Sequence, residues 1–388
     1  MSCPHCGESA RFVGHRGKAV VCLLGNIRIE RPYYHCKACH RGCCPGDARL
    51  GLDGSDTTPA AAEVISMAGV LGAFARAAEL VLTRMGGLRV SESTVQRLTE
   101  CVGTDVGERV NKGQAFGPSV PWAWHKDAEG RTCAYVSIDA TGVPQQGPKG
   151  SAADGRMATV AMIYNPVPEE PERRARPTAR RPDCQVRYLA SLCGQAGLAA
   201  PLRRQAAHVG MDRAERWIAI SDGGSGLEDW LRVNFGRVDA VILDFYHASE
   251  YLAALAKAWH GAGTGAAEAQ HKGWAHRLKH EGGAAVLDEL RRLRLPRRRG
   301  LREARDATLT YFTNQVHRMD YPSYRARGWQ IGSGPVEAAC KTVINQRLKG
   351  TGMRWGPQGA DAMSHLRALI MSEPRQWTAY WTHRQAAA

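Results

Sequence analysis

The sequence predicts a mixed α/β protein built on a mixed sheet with helices on its faces. Three observations carry this. Strand-like runs occur in the order βββαβαβ through the middle of the chain, long Ala-, Leu- and Arg-rich helical stretches flank and interrupt them, and two Cys-x-x-Cys pairs sit at the front. An antiparallel meander that feeds right-handed βαβ crossovers yields such a sheet.

The elements follow in chain order. Seven of the 12 cysteines lie in the first 44 residues, so the count is a local feature rather than a disulfide framework. Cys3-Pro-His-Cys6 and Cys36-Lys-Ala-Cys39 each place two thiolates close enough to share one tetrahedral zinc, and His5, His40, Cys43 and Cys44 are further candidate ligands. The runs Lys18–Leu24 and Ile27–Tyr34 read as a hairpin turning at Gly25-Asn26, which makes residues 1–50 a zinc ribbon with a structural Zn²⁺. Arg28, Arg31, Tyr33 and Tyr34 flank it, as a DNA-binding face or as part of a folding or dimerisation element.

Residues 51–117 are expected to form a helical, DNA-binding-like domain, with Ala, Leu and Glu at helical spacing from Thr58 to about Val110. Ser91 reads as the N-cap of an amphipathic helix that either reads DNA, as in helix-turn-helix proteins, or packs in a bundle. Residues 113–129 read as a linker. Tyr135–Asp139, Met157–Tyr164 and Gln185–Ala190 are the three meander strands, and a helical stretch over 197–209 precedes the strand Trp217–Asp222. A helix over 226–235 and the strand Ala240–Asp244 complete the first part of the core, residues 130–247. Residues 248–328 are a helical insertion, and residues 329–370 bring a final amphipathic helix, Gly334 to Leu348, with a basic tail.

Charge narrows the partner. The chain has 52 Lys+Arg against 37 Asp+Glu, a net +15, which favours a polyanion. Arg173, Arg174, Arg176, Arg180 and Arg181 crowd one proline-rich loop, and residues 291–305 hold eight arginines, among them Arg297, Arg298 and Arg299, with one glutamate. Such segments supply salt-sensitive phosphate contacts. The N-terminus has no signal-peptide pattern, and the longest apolar run, Val64 to Ala75, has 12 residues, too few for a membrane span. These features give the expectation of a cytoplasmic, nucleoid-associated protein with no membrane partner.

Acidic residues supply the chemistry. Asp139 is expected at the end of the first core strand, where Thr141-Gly142 turns the chain away. Asp222 ends a later strand before Gly-Gly, and Glu337 lies in the first turn of the last helix. Carboxylates converging from strand ends and a helix make an oxygen-rich site for Mg²⁺ or Mn²⁺, and two such ions suit phosphodiester chemistry. Asp244, in Asp-Phe-Tyr-His247, is a reserve for the second acid, with His247 orienting a ligand or substrate. Lys341, Arg347, Lys349, Arg354 and Trp355 follow Glu337 and are candidate DNA contacts, Trp355 by stacking on a base or else by core packing.

Taken together, these residues resemble the DDE transposases of bacterial insertion sequences, of the Kra type related to Mutator-like and ISL-like enzymes. The likeness runs through Cys3-Pro-His-Cys6, Arg31-Pro-Tyr-Tyr-His-Cys36, Ser137-Ile-Asp-Ala-Thr-Gly142, Ser221-Asp-Gly-Gly224 and Asp244-Phe-Tyr-His247. It continues in Gly332-Ser-Gly-Pro-Val-Glu-Ala-Ala-Cys-Lys341 and Arg347-Leu-Lys-Gly-Thr-Gly-Met-Arg-Trp355. The resemblance implies an RNase H-like catalytic domain, an Asp139-Asp222-Glu337 metal triad, and cleavage and strand transfer at transposon ends. It also implies double-stranded DNA, both transposon ends and target, as partner, and a homo-oligomer on that DNA. The Asp-x-x-His motif departs from the Cys-x-x-His-like motif of the Mutator-like pattern. A transposase-derived DNA-binding protein without catalysis, and a nuclease that only hydrolyses, are the alternative readings.

Overall fold

The computed structural model describes residues 1–166, 185–224, 226–296, 298–372 and 375–386. Arg173, Arg174, Arg176, Arg180, Arg181 and Arg297 lie outside the described residues. No helix among the described residues is long and apolar enough to cross a membrane.

The N-terminal strands β1 (Ala10–Cys22), β2 (Gly25–Cys36) and β3 (Gly42–Cys43) form a small antiparallel sheet. Cys22 pairs with Gly25, so the hairpin turns at Leu23-Leu24 and not at the expected Gly25-Asn26. Gly25, at φ 110°, supplies the positive backbone angle that closes this tight connection.

The second sheet holds β4 (His125–Lys126), β5 (Thr132–Gln146), β6 (Ala152–Asn165), β7 (Gln185–Ser191), β8 (Arg216–Ser221) and β9 (Val238–Leu243). Its order is β7-β6-β5-β8-β9, with β4 added to β5. Strands β5, β6 and β7 form an antiparallel meander, and β8 and β9 run parallel to β5. The apolar run Cys133–Ile138 is buried throughout, as a strand covered on both faces requires.

Strand β5 does not end at Asp139. It pairs with β6 as far as Gln146, because the segment after Thr141-Gly142 stays extended as one arm of a hairpin. The expected turn at Thr141-Gly142 is therefore corrected to a mid-strand position. Residues 113–129 are likewise no loose linker: Trp122 and Trp124 are buried in edge-on contact, and the Trp124 indole donates to Gly210 O at 3.0 Å.

The helices are α1 (Pro59–Leu71), α2 (Glu92–Asn111), α3 (Gly194–His208), α4 (Leu227–Asn234), α5 (Phe245–His260) and α6 (Gly265–Glu281). They continue with α7 (Gly283–Arg292), α8 (Arg299–Gln315), α9 (Gly334–Ala339), α10 (Pro357–Met371) and α11 (Arg375–Ala386). Caps place the starts: Ser91 accepts from Thr94 N–H, and Thr58 accepts from Ala61 N–H with Pro59 as first helical residue. Helix α2 packs along α10, and at Gly103 a Cβ would stand 2.2 Å from Ala362 O, so only glycine permits this crossing. One continuous apolar core runs from α2 and α10 through the sheet to the helices between β9 and α9.

Helix α9 runs on through a π-helical turn, Cys340–Asn345, to Leu348. The buried Arg367 guanidinium donates to the Val343 and Thr342 carbonyls of that turn. Wide turns of this kind leave carbonyls poorly paired inside a helix, and here a side chain from α10 satisfies them.

Candidate functional site

The cysteines come together first. Sγ atoms of Cys3, Cys6, Cys36 and Cys39 all lie within 4.8 Å of one another, with Cys3–Cys39 at 3.7 Å and Cys6–Cys36 at 3.6 Å. A tetrahedron with metal–sulfur bonds of about 2.3 Å has edges of about 3.8 Å, so the four thiols fit a structural zinc. Among the described residues this is the one group of three or more Cys, His, Asp or Glu side chains so gathered. The Cys3 thiol is lowered to about 7, chiefly by the His5 N–H. Cys6 has the help of the Glu8 N–H, but burial and its three sulfur neighbours push it up to about 12. A shared cation relieves such crowding by taking all four as thiolates. Arg31, flanking the ribbon, pairs with Asp47, and Arg16 lies 3.5 Å over the Tyr33 ring, so both serve the ribbon's own packing.

The acids occupy the other end of the chain's chemistry. Ser137 of β5 is level with Ile220 of β8, and Ser221 of β8 is level with Leu243 of β9. Continued along the parallel strands, this register sets Asp139, Asp222 and Asp244 at one height. Helix α9 packs on β5 and brings Glu337 to the same edge, where the Cys340 thiol, less than one turn after Glu337, lies 3.5 Å from Asp139 Oδ2.

Each carboxylate is held differently. Asp139 is half-buried, and burial is the main cause that raises its pKa; Asp222 and Glu337 raise it further, while the Ala140 N–H and Cys340 work against them. Asp222 Oδ1 accepts the Gly224 N–H at 3.0 Å, an Asx turn that leaves Oδ2 free of any described partner. Glu337 Oε1 lies 3.0 Å from the Ser333 hydroxyl oxygen, and its Oε2 lies 4.0 Å from Lys341 Nζ. The three acids thus approach one another without closing into a single ligand group. Their donor set is all hard oxygen, borne by three elements, and it fits Mg²⁺ or Mn²⁺ by chemistry.

Asp244 differs from its neighbours. It caps α5, accepting Tyr246 N–H at 3.1 Å and His247 N–H at 3.2 Å, and it accepts Ser333 N–H at 3.0 Å and the Ser333 hydroxyl at 2.8 Å. With 2% of its surface exposed, its lone pairs are spent inside the protein. The reserve second acid is a buried strut that steadies the Glu337 segment. His247 lies 3.5 Å from Glu250 and edge-on to Tyr251 and Tyr311.

Arg347 and Trp355 do not reach the surface expected of DNA contacts. Arg347 is 2% exposed, donates to Gly69 O at 2.9 Å and sits over the Phe74 and Trp355 rings, and burial lowers its pKa to about 10. Trp355 is buried and donates to Leu348 O at 3.1 Å. These two residues lock α1 to the helix that bears Glu337. Lys349 and Arg354 remain exposed, and Lys349 Nζ donates to Thr141 Oγ1, two residues along β5 from Asp139. Arg298 and Arg299 are exposed at the start of α8, the latter paired with Glu303.

Sequence reasoning missed Arg318 and Ser333. Arg318, fully buried, donates to Val241 O, Ser221 O and Ser221 Oγ, and so clamps the ends of β8 and β9 from the insertion side. Nothing in its local sequence, Val-His-Arg-Met, signals this. Ser333 had a signal in its Gly-Ser-Gly-Pro setting before a helix, although it bonds Asp244 and Glu337 and makes no cap bond to α9. Set against protein-family models and curated proteins, the chain matches none.

Proposed function

We propose that this chain is a DDE-type DNA transposase with an RNase H-like catalytic sheet, acting on phosphodiesters at insertion-sequence ends. The observation that carries the reading is the common height of Asp139 and Asp222 on adjacent parallel strands, with Glu337 brought beside them by α9. The sheet order, a meander followed by two parallel crossovers, agrees with that fold.

Mg²⁺ or Mn²⁺ held by Asp139, Asp222 and Glu337 would polarise the phosphodiester and its attacking oxygen. The chain's own residues do the rest. Burial of Asp139 among like charges makes that carboxylate costly unless a cation is present, which couples metal uptake to the arrangement of the site. Ser333 holds one oxygen of Glu337, and Arg318 fixes the backbone from which Asp222 hangs. Lys341, Lys349, Arg354, Arg298 and Arg299 are exposed cations that would supply phosphate contacts. Synapsis of two DNA ends calls for a homo-oligomer on DNA.

The test is incubation with Mg²⁺ or Mn²⁺ and DNA carrying candidate ends from the flanks of the gene. End-specific cutting joined to strand transfer supports the reading. Cutting without transfer points to a nuclease, and tight DNA binding without cutting points to a non-catalytic descendant.

A further inference from the structure

Of the Phe, Tyr and Trp side chains among the described residues, only Phe12 and Tyr246 are exposed. Phe12 belongs to the ribbon, where it meets His15 and Tyr34 edge-on. Tyr246, the second residue of α5, stands beside the acids with 63% of its surface exposed. A lone exposed tyrosine is ordinary, but this one is held in place. Its N–H donates to Asp244 Oδ1 at 3.1 Å, the N–H of the preceding Phe245 donates to Ile331 O at 2.9 Å, and the Phe245 ring meets the Tyr246 ring edge-on at 5.5 Å.

The ring also lies against the backbone of Gly332, where a Cβ would stand 2.8 Å from Cε2 and 3.0 Å from Cδ2, so any side chain at 332 would displace it. The next residue, Ser333, donates to Asp244 and stands 3.0 Å from Glu337 Oε1. An aromatic surface open to solvent is therefore fixed where the end of β9 meets the segment that carries Glu337. Base stacking calls for such a surface: a π-face already in position beside the reacting phosphodiester, with little left to order on binding. Trp355, the ring that the sequence offers for this task, is buried and out of reach of a base.

We propose that Tyr246 is a substrate-binding residue whose ring stacks on an unpaired base of the DNA strand cut at the acidic site. This rests on the transposase reading and adds to it that the duplex is frayed beside the cut phosphate, since a base within an intact stack has no free face for a side chain to cover.

Tyr246→Phe keeps the ring, and Tyr246→Leu keeps apolar bulk against Gly332 without a π-face; both changes fall on an exposed side chain. The readout is affinity, before Mg²⁺ is added, for two end duplexes, one fully paired and one whose bases beside the cut site are unpaired by mismatches. Wild type and Tyr246→Phe should prefer the mismatched duplex. Tyr246→Leu should bind it about fivefold to a hundredfold more weakly, the scale of one stacked base, and change little on the paired duplex. Wild-type affinity of Tyr246→Leu for the mismatched duplex overturns the proposal, while end cleavage by the wild type leaves the transposase reading standing. A loss by Tyr246→Phe as large as that by Tyr246→Leu also overturns it, since the hydroxyl and not the ring would then carry the contact. Absence of end cleavage by the wild-type protein with Mg²⁺ brings down the transposase reading, and this proposal with it.

Discussion

Ser333 gives both its backbone N–H and its hydroxyl to the carboxylate of Asp244, at 3.0 and 2.8 Å. The same hydroxyl oxygen stands 3.0 Å from Glu337 Oε1, so a buried acid at the end of β9 reaches the start of α9 through one side chain. A single hydroxyl proton faces two carboxylates there, and the backbone N–H groups of Tyr246, His247 and Ser333 are what hold Asp244 in place.

Asp244 and Asp222 should therefore respond differently to the same change. Asp244→Asn puts an amide where only acceptors fit and should cost about 1–3 kcal/mol of stability. Asp222→Asn keeps an Oδ1 acceptor for the Gly224 N–H at a half-buried position and should cost under about 1 kcal/mol while abolishing end cleavage. Urea denaturation of both variants, with single-turnover cleavage alongside, checks the contrast.

The ribbon should bind one zinc through four thiolates. Chelation, or Cys36→Ser, should release it and strip hydrogen-exchange protection from β1 and β2 while leaving β5 to β9 protected. Metal content per chain and exchange mapped by peptide measure this. Full protection of the hairpin in metal-free, reduced protein would refute a structural role for the ion.

Arg347 should behave as a core residue. Arg347→Ala empties the space under Phe74 and Trp355, unpairs Gly69 O and should destabilise by roughly 2–4 kcal/mol, with no change in the salt dependence of DNA binding. Lys349→Ala should do the reverse, keeping stability and lowering the slope of log affinity against log salt by about one.

Acid should weaken the junction between α10 and β7. Burial raises the Asp361 pKa, but the His365 ring, the Leu192 N–H and the Ser191 hydroxyl outweigh it and lower it to about 2, from an ordinary 3.8. A depressed folded value means that the stabilisation is complete above the unfolded pKa and disappears as pH falls through the folded one. The window is about pH 4 to 2. With 37% of the side chain exposed, solvent screening leaves about 1 kcal/mol, and the wild-type-minus-Asp361→Asn stability difference should fall by that amount across the window.

How much was legible in the sequence depended on the range of the interaction. Strand runs such as Trp217-Ile-Ala-Ile and the cap at Ser91 are local patterns, and they appear as β8 and α2. The two Cys-x-x-Cys pairs are spaced by chemistry, and their four sulfurs meet. The extension of β5 past Asp139 escaped because pairing with β6 overrides a Thr-Gly turn signal. The burial of Arg347 and Arg318 escaped because an arginine that satisfies distant carbonyls looks, in one dimension, like one that meets a phosphate.

The central claim is that Asp139, Asp222 and Glu337 act as one unit. The direct measurement is the single-turnover rate of end cleavage for Asp139→Asn, Asp222→Asn, Glu337→Gln and the Asp139→Asn/Glu337→Gln double variant, each with confirmed folding. Each single change should lower the rate by about a thousandfold or more, and the double should be hardly slower than either single, as expected of groups that function together. A rate within tenfold of wild type for any of the three single variants would contradict the account.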